Sequence, residues 1–266
     1  MILKKIPTIS IQKISYSYKG KNSNKLAISN LDLEVFSGEF VTIIGPSGSG
    51  KTTILNLIAG LLSPTDGDIS IAGHLPRNTQ SRKYIGMVFQ TPAILPWLNV
   101  SQNLLLPLEV NPSNSRDFEN ESIVSNILSI IQMEDYASFY PHQLSGGMKQ
   151  RVGVGMSLVF DPEIFLMDEP LGSLDEITRS NMRYDLIKIL RNRNKTIVMV
   201  THSIEDAVLM SDRIIVLSKS PGTFSTEIKV NLPPTRTKDL EYKSEFISCV
   251  SDVKKSLSFT YDLKCR

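Results

Sequence analysis

An α/β fold built on a parallel sheet is what this 266-residue sequence predicts, and three observations predict it. From Ile164 onward, short wholly apolar runs alternate with helical stretches: strand 164–168, helix 176–192, strand 196–200, helix 203–210, strand 213–217. Apolar runs of this kind suit parallel strands covered on both faces. Phe40 to Ile44 is another such run, and it leads into a glycine-rich loop and a helical pattern with Ile54, Ile58, Leu61 and Leu62 on one face. Residues 8–18 instead alternate, with Ile9, Ile11, Ile14, Tyr16 and Tyr18 among polar neighbours. That period of two predicts a half-buried strand.

The remaining elements follow in order. Lys19 to Lys25 is a polar turn, and Leu31 to Phe36 is a strand separated from Phe40 to Ile44 by Ser37-Gly38-Glu39. Pro64 and Gly67 end the helix after the glycine-rich loop. Asp68 to Ala72 and Tyr84 to Phe89 are strand-like. From residue 91 the character changes: prolines at 92, 96, 107 and 112, a Ser/Asn-rich patch from Asn111 to Ser115, then a helical period at Ile123, Ile127, Ile130 and Ile131. This marks a helical subdomain inserted over about 91–160. Within it, Pro92, Pro96 and Trp97 stiffen an exposed loop across 91–110 that leaves Leu98 and Leu104 to Leu106 as an apolar stretch. Residues 231–266 form a short tail with one helix around Tyr242 to Leu257.

Charged residues make up 21% and hydrophobic ones 41%, and a formal net charge of +2 gives no warrant for a nucleic-acid partner. A membrane helix needs about 18 consecutive apolar residues, and Val152 to Phe160 and Ile197 to Val200 fall far short. Met1 to Pro7 lacks the apolar region and cleavage site of a secretory signal. Cys249 and Cys265 have no metal-ligand spacing. The expectation is a cytosolic, reduced protein that reaches a membrane only through a partner.

Gly45-Pro46-Ser47-Gly48-Ser49-Gly50-Lys51-Thr52 fits the phosphate-loop pattern G-x-x-x-x-G-K-[ST] at every fixed position. Its glycines let successive N–H groups turn inward onto phosphate oxygens, and the helix that follows adds its positive end. Lys51 supplies a point charge for the β- and γ-phosphates, and the Thr52 hydroxyl is a ligand for Mg²⁺. Asp168 ends a buried strand, where a carboxylate needs a cation, and Mg²⁺ is the natural one. Glu169 is placed to act as general base on an attacking water; alone, Asp168-Glu169 reads equally well as an acidic turn. Ser145-Gly146-Gly147 caps the next helix and offers a second anion site, although the tripeptide by itself is no more than a flexible turn.

These features in this order, with Leu144-Ser145-Gly146-Gly147-Met148-Lys149-Gln150-Arg151 between them, resemble the ATP-binding subunit of an ABC transporter from about Ile9 to Val230. The resemblance implies a P-loop NTPase (RecA-like) core with an antiparallel β subdomain and the inserted α-helical subdomain. The cassette would span 8–230, with ATP and Mg²⁺ as its ligands and Thr53 continuing the loop's contacts. It also implies roles for further residues. His202 would be the switch histidine on the γ-phosphate. Gln90 would touch Mg²⁺ and the water and link the site to the helical subdomain. Tyr18 would stack on adenine, with Tyr16 the competing ring on the same face. Asp175, in the loop Ser173-Leu174-Asp175, would contact a second copy, because two copies pair head to tail and each signature covers the other's γ-phosphate.

Leu95 to Val100, Tyr140-Pro141-His142-Gln143, Met148, Asp175 to Arg179, His202 to Ala207 and Ser218-Lys219-Ser220-Pro221-Gly222 look like the nitrate/sulfonate/taurine importer group. That implies an energising ATPase on the cytoplasmic face of the membrane, with permease subunits and, indirectly, a solute-binding protein as partners. The alternatives are lipid or lipoprotein export and a soluble ABC ATPase such as one for cluster assembly. Gly153, Gly155 and Met156 depart from the family's usual alanines and arginine, and an interior helical glycine costs about 1 kcal/mol relative to alanine.

Overall fold

The structure, a computed structural model, describes residues 6–20, 24–80, 83–111, 117–191 and 193–262. In chain order its strands are β1 (Ile9–Tyr18), β2 (Lys25–Val35), β3 (Phe40–Ile44), β4 (Asp66–Ile71), β5 (Ile85–Val88), β6 (Ile164–Asp168), β7 (Thr196–Val200), β8 (Arg213–Leu217) and β9 (Phe224–Lys229). The helices are α1 (Lys51–Ile58), α2 (Pro76–Gln80), α3 (Val100–Val110), α4 (Asp117–Ile130), α5 (Gly146–Leu158), α6 (Glu176–Arg191), α7 (Ile204–Met210) and α8 (Ser244–Asp262).

Among the described residues the central sheet runs β5-β6-β7-β3-β8-β9. Its first five strands are parallel, and β9 pairs antiparallel with β8 at the edge. The apolar runs of the sequence are buried on both faces, as a parallel sheet requires. Phe40, Phe165, Met167, Ile197, Met199, Ile214 and Val216 point into one core, shared with α3 to α8. Val41, Ile43, Ile164, Leu166, Val198, Val200 and Ile215 point into the other, which α1 and the second sheet close. That second sheet is antiparallel, ordered β2-β1-β4, with Ile9 opposite Val35 on one side and Ile71 on the other. The period of two expected over residues 8–18 holds from Ile9 to Ile11; a register shift then follows, with Lys13 at φ 49°, and the next buried residue is Ile14.

Several elements differ from the sequence expectation: β2 starts at Lys25 and not at Leu31, and the short helix α2 was not expected. The stretch 91–110 is not all loop: Asn99 forms a capping box with Gln102 and starts α3. Leu104 is consequently fully buried, so it belongs to the core and not to an exposed apolar stretch. The helix after the phosphate loop stops at Ile58, and Leu61, expected on its buried face, is 60% exposed. β9, read from the sequence only as chain before residue 230, completes the sheet edge.

The glycines of α5 also carry a reason beyond their propensity. A Cβ on Gly155 would lie 2.7 Å from Leu104 Cδ2, 3.0 Å from Ile131 Cδ1 and 3.1 Å from Ile127 Cγ2. A Cβ on Gly153 would lie 3.0 Å from Pro92 Cβ. The small residues therefore let α5 approach α3, α4 and the 92 loop closely. The tail docks α8 on α7 and on β8 and β9, burying Phe246 and Val253.

Candidate functional site

Because β5, β6, β7 and β3 lie side by side and parallel, their C-terminal ends bring four separate sequence segments to one edge, the usual ligand edge of an open α/β sheet. The phosphate loop leaves β3. Gly48 (φ 77°) and Gly50 (φ 84°) take left-handed backbone that side chains resist, and Gly50 is the N-cap of α1. Lys51 turns back over the loop, its Nζ donating to the carbonyls of Gly45 (2.9 Å) and Pro46 (3.0 Å). Burial lowers the Lys51 ammonium's pKa, against the nearby carboxylates of Glu169 and Asp168, which raise it.

Thr52 Oγ1 donates to Asp168 Oδ1 at 3.1 Å, joining the loop to the end of β6. Burial pushes the Asp168 carboxyl above its ordinary value and the Glu169 charge adds to that, while the Thr52 hydrogen bond and Lys51 oppose it. A hydroxyl and one carboxylate are the oxygen donors that Mg²⁺ takes alongside substrate phosphates. Among the described residues no three His, Cys, Asp or Glu side chains gather as a cage for a metal. The Thr52 hydroxyl and Asp168 carboxylate fit an ion whose further ligands come from a polyphosphate.

Glu169 sits at φ 45°, and its N–H donates to Val200 O at 2.9 Å. That turn brings Oε2 to 3.1 Å from His202 Nδ1, just beyond β7, and to 3.3 Å from Gln90 Nε2, just beyond β5. Tyr18, 44% exposed, shares with Ser47, Lys51, Thr53 and Glu169 a cleft of about 320 Å³. Its hydroxyl lies 3.0 Å from Thr53 Oγ1, and its ring meets Tyr16 edge to face at 5.0 Å. Tyr16 packs against the core beneath and does not line the cleft.

The signature residues lie elsewhere. Ser145 caps α5 through Met148 N–H at 3.3 Å. Ser145 and Gly147 line a separate cleft with Tyr136, Met148, Thr178 and Asp185. Asp175 is exposed and caps α6, its Oδ1 accepting from Thr178 N–H at 3.0 Å, and these hydrogen bonds hold its carboxyl below the usual value. Within one chain, Ser145, Gly146, Gly147 and Asp175 do not join the phosphate-loop cleft.

Four residues to which the sequence assigned no individual role order these loops, three of them within the motifs quoted above. Arg179 donates to the carbonyls of Leu171 (3.2 Å) and Leu174 (3.3 Å), setting the loop after Glu169. Arg151 ties α5 to α6 through Asp185 at 2.5 Å and to the helical subdomain through Ile131 O at 3.2 Å. Arg183 and Asp206 pair at 2.7 Å, both nearly inaccessible, and so join α6 to the helix that follows His202. The i, i+4 spacing of Arg179 and Arg183 was legible, but their partners are not local.

Comparison with known proteins agrees with this geometry. A family profile described as ABC transporter matches residues 28–172. The nitrate import ATP-binding protein NrtD of Synechocystis sp. is 36% identical over 255 residues, 94% of each chain. The taurine import ATP-binding protein TauB of Jannaschia sp. is 36% identical over 223 residues, covering 84% of this chain and 82% of its own. Among solved structures, the ATP-binding cassette MJ0796, a dimer in a post-hydrolysis state bound to ADP and Pi, superposes with TM-score 0.74 at 33% identity, over 85% of this chain and all of that one. A match over more than half the chain, carried by the loops just described, places this chain in the ABC transporter family as one of its ATP-binding ATPase subunits.

Proposed function

We propose that this chain is the ATPase that energises import of a small anionic or sulfur- or nitrogen-containing solute, of the nitrate, sulfonate or taurine type. The observation that carries the chemistry is the convergence of Glu169 Oε2 with Gln90 and His202 at one end of the sheet, beside Lys51, Thr52 and Asp168. The importer reading draws on what the relatives are: NrtD serves nitrate, TauB taurine and the SsuB of Bacillus cereus, 36% identical over 234 residues, aliphatic sulfonates.

In this reading the inward N–H groups of residues 45–52 hold the phosphates and Lys51 leaves the loop carbonyls to meet them. Thr52 and Asp168, with Gln90 nearby, would hold Mg²⁺, whose positive charge would offset the negative charge of the phosphates. Glu169 accepts the proton of the attacking water, while Gln90 and His202 orient its carboxylate and meet the γ-phosphate. Tyr18 offers adenine a π-face. Ser145-Gly146-Gly147 and Asp175, remote from the cleft within one chain, act on the nucleotide of a second copy. The working unit is thus a head-to-tail pair of cassettes spanning 8–230, with 91–160 as the subdomain that meets permease subunits and a solute-binding protein upstream of them. We place that meeting at the cytoplasmic face of the membrane, on the likeness of this chain to import ATP-binding proteins; no helix among the described residues is long and apolar enough to cross a membrane.

Glu169→Gln tests the assignment. It keeps the shape but removes the base, so ATP should still bind while turnover drops by about 10²–10⁴. With Mg-ATP the variant should elute from size exclusion as a dimer holding two nucleotides. A strictly monomeric variant with wild-type turnover overturns both the base and the pairing.

A further inference from the structure

Four of the five parallel strands deliver a proposed site residue from their C-terminal ends. The fifth, β8, delivers the turn Ser218–Thr223, which lies beside the phosphate loop because β8 is the neighbour of β3. Ile44 pairs with Val216, so Leu217 flanks Gly45: a Cβ on that glycine would lie 3.1 Å from both Leu217 Cβ and Leu217 O. The turn is tightly tied. Ser218 N–H donates to Thr223 O at 3.0 Å, Thr223 N–H donates to Ser218 Oγ at 3.0 Å, and the two hydroxyls are 2.7 Å apart.

From this turn Gly222 bridges to β2. Its N–H donates to Ala27 O (2.9 Å) and its carbonyl accepts from Ser29 N–H (3.0 Å). The face of Gly222 rests on the phosphate loop itself: a Cβ there would lie 2.0 Å from Ser49 O and 3.1 Å from Ser49 C. No residue but glycine fits without moving that backbone, and the reason is space, because Gly222 is not among the residues in left-handed backbone. Ile28 continues the stack, its Cδ1 lying 2.3 Å from where a Cβ on Gly50 would sit. In a planar trans peptide the C=O and N–H point in opposite directions. With Ser49 O against Gly222, the Gly50 N–H of the same peptide is directed away from the turn. Ser220, from the same turn, lines the cleft with Tyr18 and Lys51.

We propose that the Ser218–Thr223 turn is a positioning element of the nucleotide site, and that Gly222, by abutting the Ser49 carbonyl, holds the Gly50 N–H toward the phosphates. This rests on the reading of residues 45–52 as the phosphate cradle. Forcing a methyl group against Ser49 O rotates that peptide and misdirects one of the cradle's donors, which weakens ATP and ADP alike and spares contacts to the base.

The test uses the full chain with Gly222→Ala, Ser218→Ala and wild type, measuring dissociation constants for Mg-ATP, Mg-ADP and Mg-GTP, kcat and KM, and the thermal midpoint without nucleotide. Gly222→Ala should raise the ATP and ADP dissociation constants roughly tenfold, leave the ATP-to-GTP ratio at the wild-type value, and raise KM more than it lowers kcat. A merely structural glycine would lower the nucleotide-free midpoint and leave the dissociation constants of the folded protein unchanged, and that result overturns the proposal. Ser218→Ala removes the hydroxyl that ties the turn without adding an atom, so it serves if Gly222→Ala does not fold. It should weaken ATP and ADP by several-fold, and unchanged affinities in it also overturn the proposal. If wild type itself fails to bind ATP, the nucleotide reading falls first; if wild type binds and Lys51→Ala does not, an unaffected Gly222→Ala refutes this inference alone.

Discussion

Glu169 combines a left-handed backbone, at φ 45°, with a carboxylate held between Gln90 and His202. Non-glycine residues in that region cost of order 1 kcal/mol and persist where the surroundings over-determine them. Here the bond from Glu169 N–H to Val200 O supplies that constraint, and it is what turns the side chain out of the strand direction and toward the cleft. Lys51 works differently: its ammonium is held by two loop carbonyls and depressed by burial, so phosphate oxygens offer it a better, charged partner. Replacing it should remove a charge-assisted contact without disturbing the core. Lys51→Ala is expected to weaken ATP roughly a hundredfold or more, with an unchanged circular dichroism spectrum; equilibrium dialysis measures the first and spectroscopy checks the second.

Helix α5 shows how packing reverses a propensity argument. An alanine at position 155 gains about 1 kcal/mol of helix propensity, but its methyl group enters space already bounded by Leu104, Ile127 and Ile131. Overpacking a filled core costs about 1–3 kcal/mol, so Gly155→Ala should lower stability, seen as an earlier midpoint in urea. A gain in stability would show that the helices separate freely there. The pair Arg183–Asp206 makes a second case. Both side chains are only 4% exposed, and removing one partner strands the other's charge in the interior. Arg183→Leu should therefore cost about 3–5 kcal/mol, with part regained when Asp206→Leu is added, as denaturation of the three variants would reveal.

The tail reaches the same helix. Glu241 accepts from Arg183 Nη1 at 3.2 Å and from the Tyr184 hydroxyl at 2.5 Å. Burial, reinforced by the Glu241 carboxylate, raises the Tyr184 hydroxyl well above the ordinary tyrosine value. A group raised in the folded state contributes fully below its unfolded value, about 10 for tyrosine, and the contribution is lost as pH climbs beyond it. Unfolding free energies compared between wild type and Tyr184→Phe should therefore converge as pH rises above that value, and a constant gap would contradict the contact.

At the scale of the whole molecule, the two cores decide how nucleotide chemistry reaches other surfaces. One core joins the helical subdomain to the sheet. Phe89 O accepts from Gln150 Nε2 at 3.5 Å, a direct tie between its loop and the signature helix. Next to them an apolar cleft of about 230 Å³, lined by Met87, Phe89, Pro92, Ala93, Pro107 and Met156, opens at the surface, and Trp97 in the same loop is 68% exposed. ATP gains leverage on a partner seated there only by binding the closed pair more tightly than the open one. Ala93→Glu and Trp97→Glu should accordingly leave hydrolysis by the isolated chain within about twofold, since exposed sites away from the core change stability little. Permease assembly and solute uptake should fall together; uptake that persists in whole cells would locate the coupling surface elsewhere.

What the sequence determined by itself was chemistry and local form. The phosphate loop, the Asp168-Glu169 pair and the apolar runs were legible because each is written in contiguous residues, through fixed spacing or through a period of two or of none. The four segments meet because β6 and β7 stand between β5 and β3, a strand order that no local period encodes. The burial of Leu104, the need for Gly155 and the partners of Arg183 were likewise hidden, since each depends on an element distant in the chain. The same holds for Gly222: its five-residue motif could be read, but the Ser49 carbonyl against which it rests is brought there only by the pairing of β8 with β3. A sequence specifies which surfaces are apolar and which groups are reactive, whereas their separation in space follows from how the layers close over one another.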